Sequence, residues 1–383
     1  MTRAMTRAVH TRGPRRVAGQ AGITLIELMV GLLIGMLAIL VISQVLLMSE
    51  GQKRTTTGGS DAQVNGALAL YAMQRDIQTA GYGLTSSPAI VGCPISASFN
   101  GGGALPAGFA TTLAPVFITP EASRPVGSVG DSIRMLASSK NAYSVPTRVI
   151  PPAYAVNGLS VPVTASMGFA QGDLALVAAD AVQPCWVFQV TAAPTANSVP
   201  RADAPNGWNS AGNPSQAYAD GSILVNLGRL VDNRYEINNR VLELSSFDIA
   251  NPTAAPRPTL AVQSDIVNLR AFYGRDTSVP ADGIIDVYDT TTPTTNDGWL
   301  RLRSVRLIVV ARSGQYEKEI VTPANPAWDV GTLPATTGAA ACGGSACLTI
   351  DVGAGVVGDV EAKHYRYKIF ETIVPLRNML WSS

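Results

Sequence analysis

From residue 28 to residue 48 this 383-residue chain has no charged side chain, and the apolar run that starts at Ile23 holds one ionisable group, Glu27. The 26 residues of that run would extend about 39 Å as a helix at ~1.5 Å per residue. That is enough to cross the roughly 30 Å hydrocarbon layer of a bilayer. The first element is therefore predicted to be a membrane helix, from which the rest of the chain hangs. Ahead of it stand Arg3, Arg7, Arg12, Arg15 and Arg16 with no acid among them, the pattern of an anchor whose N-terminus stays in the cytoplasm. An ordinary secretory signal has a shorter apolar core and a small-residue cleavage site after it, so the run reads as a retained anchor. A carboxylate near the start of such a helix costs roughly 3 kcal/mol to insert, which marks Glu27 as functional by default.

The residues before Glu27 define its setting. Gly22 to Glu27 read G-I-T-L-I-E, followed by about 20 apolar residues, and this arrangement resembles the class III signal of type IV pilins and related pseudopilins. The resemblance implies a prepilin peptidase that cuts between Gly22 and Ile23 and methylates the new N-terminus at Ile23, with Thr24 and Leu25 completing the cleavage motif. Glu27 would then be the fifth residue of the mature chain. There the amine of a neighbouring subunit can neutralise it in lipid and set the axial register of assembly. A plainer role, a carboxylate favoured by the helix dipole, is compatible with this one. The 22-residue leader is longer than many in the family, and Met5 is an alternative start.

The helical signal continues past Met48 with a weak point at Gly51, Thr55 to Thr57 and the Gly58-Gly59 pair, all poor helix formers. It resumes with Val64, Leu68, Tyr71 and Arg75 at i, i+4, i+7 and i+11, flanked by Ala67 and Ala72, which predicts an amphipathic half-helix. Glycines in the A-G-Y-G stretch ending at Gly83 suit a C-terminal cap. The reading is one helix over 23–83, membrane-spanning over 23–48 and amphipathic over 49–83, with a break at the glycine pair as the alternative. Beyond it, 84–383 reads as a β-rich head. Short β-prone runs lie between turn signals at 115–119, 132–136, 173–177, 186–191, 222–227, 241–244 and 266–273. The strongest are 299–311 and 365–376. In the first, Leu300 and Leu302 share a face and Val305, Leu307 and Val309 continue it after a phase shift near Ser304, as a β-bulge produces. Stretches near 192–219 and 323–341 read as extended loops. The class is α+β.

Three further stretches narrow the resemblance. A-L-A-L-Y-A-M-Q-R-D-I-Q-T-A-G-Y-G, ending at Gly83, is similar to the half-helix of PilW-type minor pilins of the type IV pilus. V-N-L-R-A-F-Y-G-R-D-T from Val267 and W-L-R-L-R-S-V-R-L-I-V-V-A-R-S from Trp299 resemble that family's C-terminal half, and Y-K-I-F-E-T-I-V-P-L-R-N from Tyr367 its last strand. The middle, 90–260, resembles nothing comparable. The family implies a structural subunit of a pilus tip or priming complex, supporting assembly, twitching motility and adhesion. Its partners would be the prepilin peptidase, other minor pilins, the major pilin and a tip adhesin. It implies an inner-membrane anchor with the head in the periplasm, then a place at the pilus tip. Major pilins commonly carry a proline that loosens the anchor; none lies between Ile23 and Ser86 here, leaving Gly31 and Gly35 for that role. A type II secretion pseudopilin and a surface adhesin or DNA-uptake subunit are the alternatives.

Formal net charge is +1, but without the five leader arginines 23 basic residues face 27 acidic ones, a net of −4. A mildly acidic mature chain lacks the clustered cations that phosphate-driven nucleic-acid binding needs. No G-x-S-x-G, phosphate-cradling glycine loop or H-E-x-x-H occurs, and the only histidine outside the leader is His364, so no enzyme is expected and no cofactor. In an oxidising periplasm four cysteines should pair. Cys342-Gly-Gly-Ser-Ala-Cys347 closes an easy loop, and Cys93 with Cys185 follows by elimination. Zinc is the rival, without paired C-x-x-C spacing to support it. Asp276, Asp282, Asp286 and Asp289 crowd one loop-like stretch; they read either as calcium ligands or as acidic turn residues between strands.

Overall fold

The computed structural model describes residues 22–100, 105–106, 108–140, 145–203, 207–209, 216–248, 257–353 and 360–380. The leader, apart from Gly22, lies outside the described residues. The chain forms two compact units, Met1–Thr56 and Thr57–Ser383. Helix α1 spans Leu25–Thr79 and runs on through Gly58 and Gly59, so the break allowed by the glycine pair is not made. In the first unit the helix exposes its apolar side chains, with an 18-residue window of mean hydropathy 2.8 of which none is buried. It is long and apolar enough to anchor in a membrane.

In the second unit, α1 has a buried seam of Gly58, Ala62, Gly66, Ala69, Met73 and Ile77, spaced by three and four residues as one helix face requires. Its first half is made of glycine and alanine because the β-structure comes close to the helix backbone. A Cβ on Gly66 would overlap the Phe370 ring, and one on Gly58 would touch the Ser313 side chain at 3.4 Å. The face predicted from Val64, Leu68 and Tyr71 is instead exposed, at 53, 53 and 64%. Hydrophobic periodicity weights large residues, whereas close packing against a sheet selects small ones, so the pattern pointed to the wrong side of the helix.

Past the helix come β1 (Val116–Thr119) and β2 (Val129–Ala137). Three buried strands follow, β3 (Leu174–Ala178), β4 (Cys185–Gln189) and β5 (Ile223–Gly228). The chain returns through β6 (Val231–Asn238), β7 (Val241–Ser246), β8 (Thr259–Ser264), β9 (Ile266–Arg275) and β10 (Val287–Asp289). After a short helix α2 (Asn296–Leu300) come β11 (Leu302–Arg312), β12 (Ala327–Asp329), β13 (Ala340–Cys342), β14 (Ser345–Thr349) and β15 (Tyr367–Pro375). All nine predicted runs overlap a strand, but Trp299 and Leu300, at the head of the 299–311 run, belong to α2. The stretch 323–341, predicted as loop, carries β12, the strand Ala335–Thr336 and the start of β13, and 192–219 carries the strand Ser198–Pro200.

Three five-stranded sheets result. One has the order β8-β7-β6-β2-β1 and a second Ala335–Thr336, β10, β9, β11, β15. The inner face of α1 packs with side chains from both, including Ile133, Tyr235, Leu269, Val305, Leu307, Val309 and Val374. The third, centred on β3 and β4, is buried on both faces: Leu176 and Val187 enter one core and Val177, Phe188 and Leu224 another. Strand β11 is also buried on both faces, with Ile308 and Val310 turned toward the three-stranded sheet β12-β14-β13. Its predicted phase shift is present. Gly274 pairs with Ser304 but Arg275 with Leu302, so Arg303 is the extra residue of a bulge that keeps Leu302 and Val305 in one core. Val231, opening β6, pairs with Ala137, closing β2.

Candidate functional site

At the start of α1, Thr24 and Glu27 satisfy each other. The Glu27 N–H donates to Thr24 Oγ1 at 3.4 Å, while the Thr24 N–H and hydroxyl donate to Glu27 Oε2 at 3.4 and 3.3 Å. This is a capping box, in which two backbone donors that the first helical turn leaves without partners are met by side chains three residues apart. The T-x-x-E spacing was readable, but the apolar setting drew attention to the charge alone. The arrangement folds the carboxylate back onto Thr24, the residue that follows Ile23. Ile23 and Leu25 are exposed at 76 and 79%.

At the other end of α1, the chain terminus holds the helix in place. Asn378 Nδ2 donates to the carbonyls of Thr79 and Ala80 at 3.3 and 2.9 Å, satisfying acceptors that a helix C-terminus leaves free. The carbonyl of Asn378 in turn accepts from Thr85 Oγ1 at 2.9 Å. Gly81 and Gly83 adopt φ of +79° and +72°, conformations that suit glycine at a helix end, as the A-G-Y-G stretch predicted. Asp76 accepts from Asn233 Nδ2 and Tyr235 Oη at 3.1 and 3.0 Å, and Lys368 Nζ donates to Gln63 at 3.1 Å. Strands β6 and β15 are thus tied to the helix by polar contacts as well as by packing. None of these ties was visible in a linear reading, because each joins positions more than 150 residues apart.

The head carries two disulfides. Cys93 is joined to Cys185, at a Cα–Cα distance of 5.9 Å, and Cys342 to Cys347, at 5.7 Å. The first lies in the core of the third sheet and the second at the turn between β13 and β14. His364 sits on a 3-10 turn, Val360–His364, before β15. Its ring stacks on Tyr316 at 4.8 Å, and Nδ1 lies 2.9 Å from the Glu317 carbonyl.

The aspartate stretch is the connection between paired strands β9 and β10, and its carboxylates face donors rather than a cation site. Asp276 accepts from the N–H groups of Gly283 and Ser278 at 2.7 and 3.2 Å and from Arg303 at 3.3 Å. Asp286 accepts from the N–H of Thr277 at 2.6 Å and from the hydroxyls of Thr277 and Ser278. Asp282 accepts from the Ile284 N–H at 2.9 Å, and Asp289 pairs with Arg275. Among the described residues no group of three His, Cys, Asp or Glu side chains converges on a metal position. Burial pushes the Asp276 carboxyl up, but the Gly283 and Ser278 N–H groups and Arg303 outweigh it and hold the carboxyl below its usual value. The Thr277 N–H does most to lower that of Asp286. A lowered folded-state pKa gives stability that is full above the ordinary value near ~4 and lost as pH falls through the folded one. Asp286→Asn should therefore lower the thermal midpoint at pH 7, and the gap from the unaltered protein should narrow as pH falls below about 4.

A single apolar N-terminal helix capped by an acid, its second half seated on a large β-rich region, is the α+β architecture of a pilin-like protein. Residues 237–378 match the family described as Type IV Pilus-assembly protein W. That span covers β7 to β15 and closes on Asn378, so it takes in the second of the two sheets that pack on α1 and the residue that caps it, in line with the PilW-type resemblance, while β1, β2 and nearly all of β6 lie before it. No curated protein and no solved structure matches the chain.

Proposed function

We propose that the chain is a minor pilin, a structural subunit of the type IV pilus tip or priming complex that supports pilus assembly, twitching motility and adhesion. The observation that carries this reading is the family match over residues 237–378, on strands that seat the inner face of α1. The anchor motif supports it further. Cleavage after Gly22 by a prepilin peptidase would free an amine at Ile23, close in sequence to the Glu27 carboxylate. In lipid, an unpaired carboxylate and an unpaired ammonium each gain by meeting a partner, which draws an incoming subunit into register with its neighbour. The partners on this reading are other minor pilins, the major pilin and a tip adhesin, and the head faces the periplasm before assembly.

The test is made in cells with an active prepilin peptidase. Mass spectrometry of the mature chain should find N-methylated Ile23 at its start. Glu27→Ala should be cleaved and membrane-inserted, yet at least tenfold depleted from sheared filaments. Normal incorporation of Glu27→Ala, or a mature N-terminus elsewhere, would reject the proposal.

A further inference from the structure

A cavity of about 430 Å³ opens where the loop before β2, the β6–β7 turn and the ends of β9, β11 and β15 meet. Three guanidinium groups line it, those of Arg124, Arg240 and Arg312, against one carboxylate, Glu236. Two of the three are held in place. Arg124 donates to the carbonyls of Val129 and Gly130 at 2.9 and 2.7 Å and pairs with Glu236 at 3.1 Å. Arg312 pairs with Asp265 at 2.9 Å and lies 4.0 Å over the Tyr365 ring, while its Nε is buried with no hydrogen-bond partner among the described residues.

The third stands apart. Asn239 and Arg240 form the two-residue turn between β6 and β7, since Asn238 pairs with Val241. Their φ values are +47° and +64°. A hairpin turn with both central residues left-handed takes glycine at the second position by preference, and a long side chain there is strained. Strain of this kind persists where the surroundings enforce it, and it clusters at ligand sites. Arginine in place of glycine puts an exposed guanidinium at the rim of the cavity, and among the described residues it has no ion-pair partner.

The geometry points to a site for a carboxylate presented on an extended peptide of a partner protein. The charge balance selects the ligand. Glu236 offsets Arg124 and Asp265 offsets Arg312, so one cation, Arg240, remains for one anionic charge. A phosphate monoester carries nearly two at neutral pH, whereas a carboxylate carries one and matches the planar guanidinium fork. The rest of the lining suits a peptide chain, with Val126, Val267 and Val352 for small apolar side chains and Ser128 and Asn238 for amide groups. The volume lies within the range of small-ligand pockets.

The test uses the full mature chain in detergent, titrated calorimetrically with N-acetyl-Val-Ala-Ala bearing a free C-terminal carboxylate and with the same peptide amidated. The acid should bind and the amide should bind at least tenfold more weakly. Arg240→Gly should raise the thermal midpoint, because the turn loses its strain, and weaken binding of the acid peptide at least tenfold. Arg240→Lys should keep most of the affinity. The site is overturned if acid and amide bind alike, if neither gives heat at millimolar concentration, or if Arg240→Gly binds as tightly as the unaltered chain. Displacement of the peptide by inorganic phosphate at equal concentration would overturn the carboxylate assignment.

Discussion

Replacing Cys93 and Cys185 together with alanine is expected to lower the stability of the head by about 4–5 kcal/mol, against about 2 kcal/mol for the same change at Cys342 and Cys347. The difference comes from the length of chain each bridge closes, 92 residues apart in one case and 5 in the other. Restricting the longer loop removes far more freedom from the unfolded chain. Location adds to it, since both members of the longer bridge are fully buried in the core beneath β3 and β4. The double variants Cys93→Ala/Cys185→Ala and Cys342→Ala/Cys347→Ala, unfolded in parallel with urea, give the comparison. Equal losses from the two would show that the bridges do not act through loop closure.

Asp232→Ala is expected to cost about 3–5 kcal/mol, the penalty for leaving buried charges without their partner. Asp232 on β6 is fully buried and receives Arg134 Nε at 2.6 Å and Arg257 at 3.1 Å. Arg234 lies close by, and burial, followed by the charges of Arg134 and Arg257, lowers its pKa. One carboxylate thus holds a cluster of cations, and removing it exposes them to mutual repulsion. Arg257→Ala should cost much less, because Asp232 keeps Arg134. Chemical denaturation of both variants decides the point. A loss under ~1 kcal/mol for Asp232→Ala would show that water already screens the cluster.

That cluster also explains what the sequence left hidden. Strand β6 reads V-D-N-R-Y-E-I-N, and five of its eight residues are polar, of which Asp232, Asn233 and Glu236 serve ion pairs and helix contacts. It therefore shows little of the alternation by which strands are found. Strands β3, β5, β9 and β11, by contrast, are buried along most of their length and stood out as apolar runs. The bulge at Arg303 was legible because a bulge leaves its trace in the phase of the apolar residues themselves. The seam of α1 was not legible, since Gly58, Ala62 and Gly66 carry almost no hydrophobic signal. At the anchor, the motif around Gly22 and Glu27 could be read in one line. The cavity could not, because Arg124, Arg240 and Arg312 come from three separate segments and what singles out Arg240 is a backbone angle.

The facing of Val231 and Ala137 has a consequence for how such a chain can change over time. Everything from residue 138 to residue 230 leaves the ladder at one strand and rejoins it at the neighbouring position, a gap of ~5 Å. A tight hairpin would bridge that gap equally well, so the ladder does not register how much chain lies between. One entire hydrophobic core, from Val149 to Leu224, lies within the segment, and Cys185 is its covalent link to the part of the chain that follows α1. The segment is in effect an exchangeable cassette. A successor of another length would leave the strands that carry the helix in register, provided it still covers Leu84, Ile90, Phe109 and Leu113 and offers a thiol to Cys93.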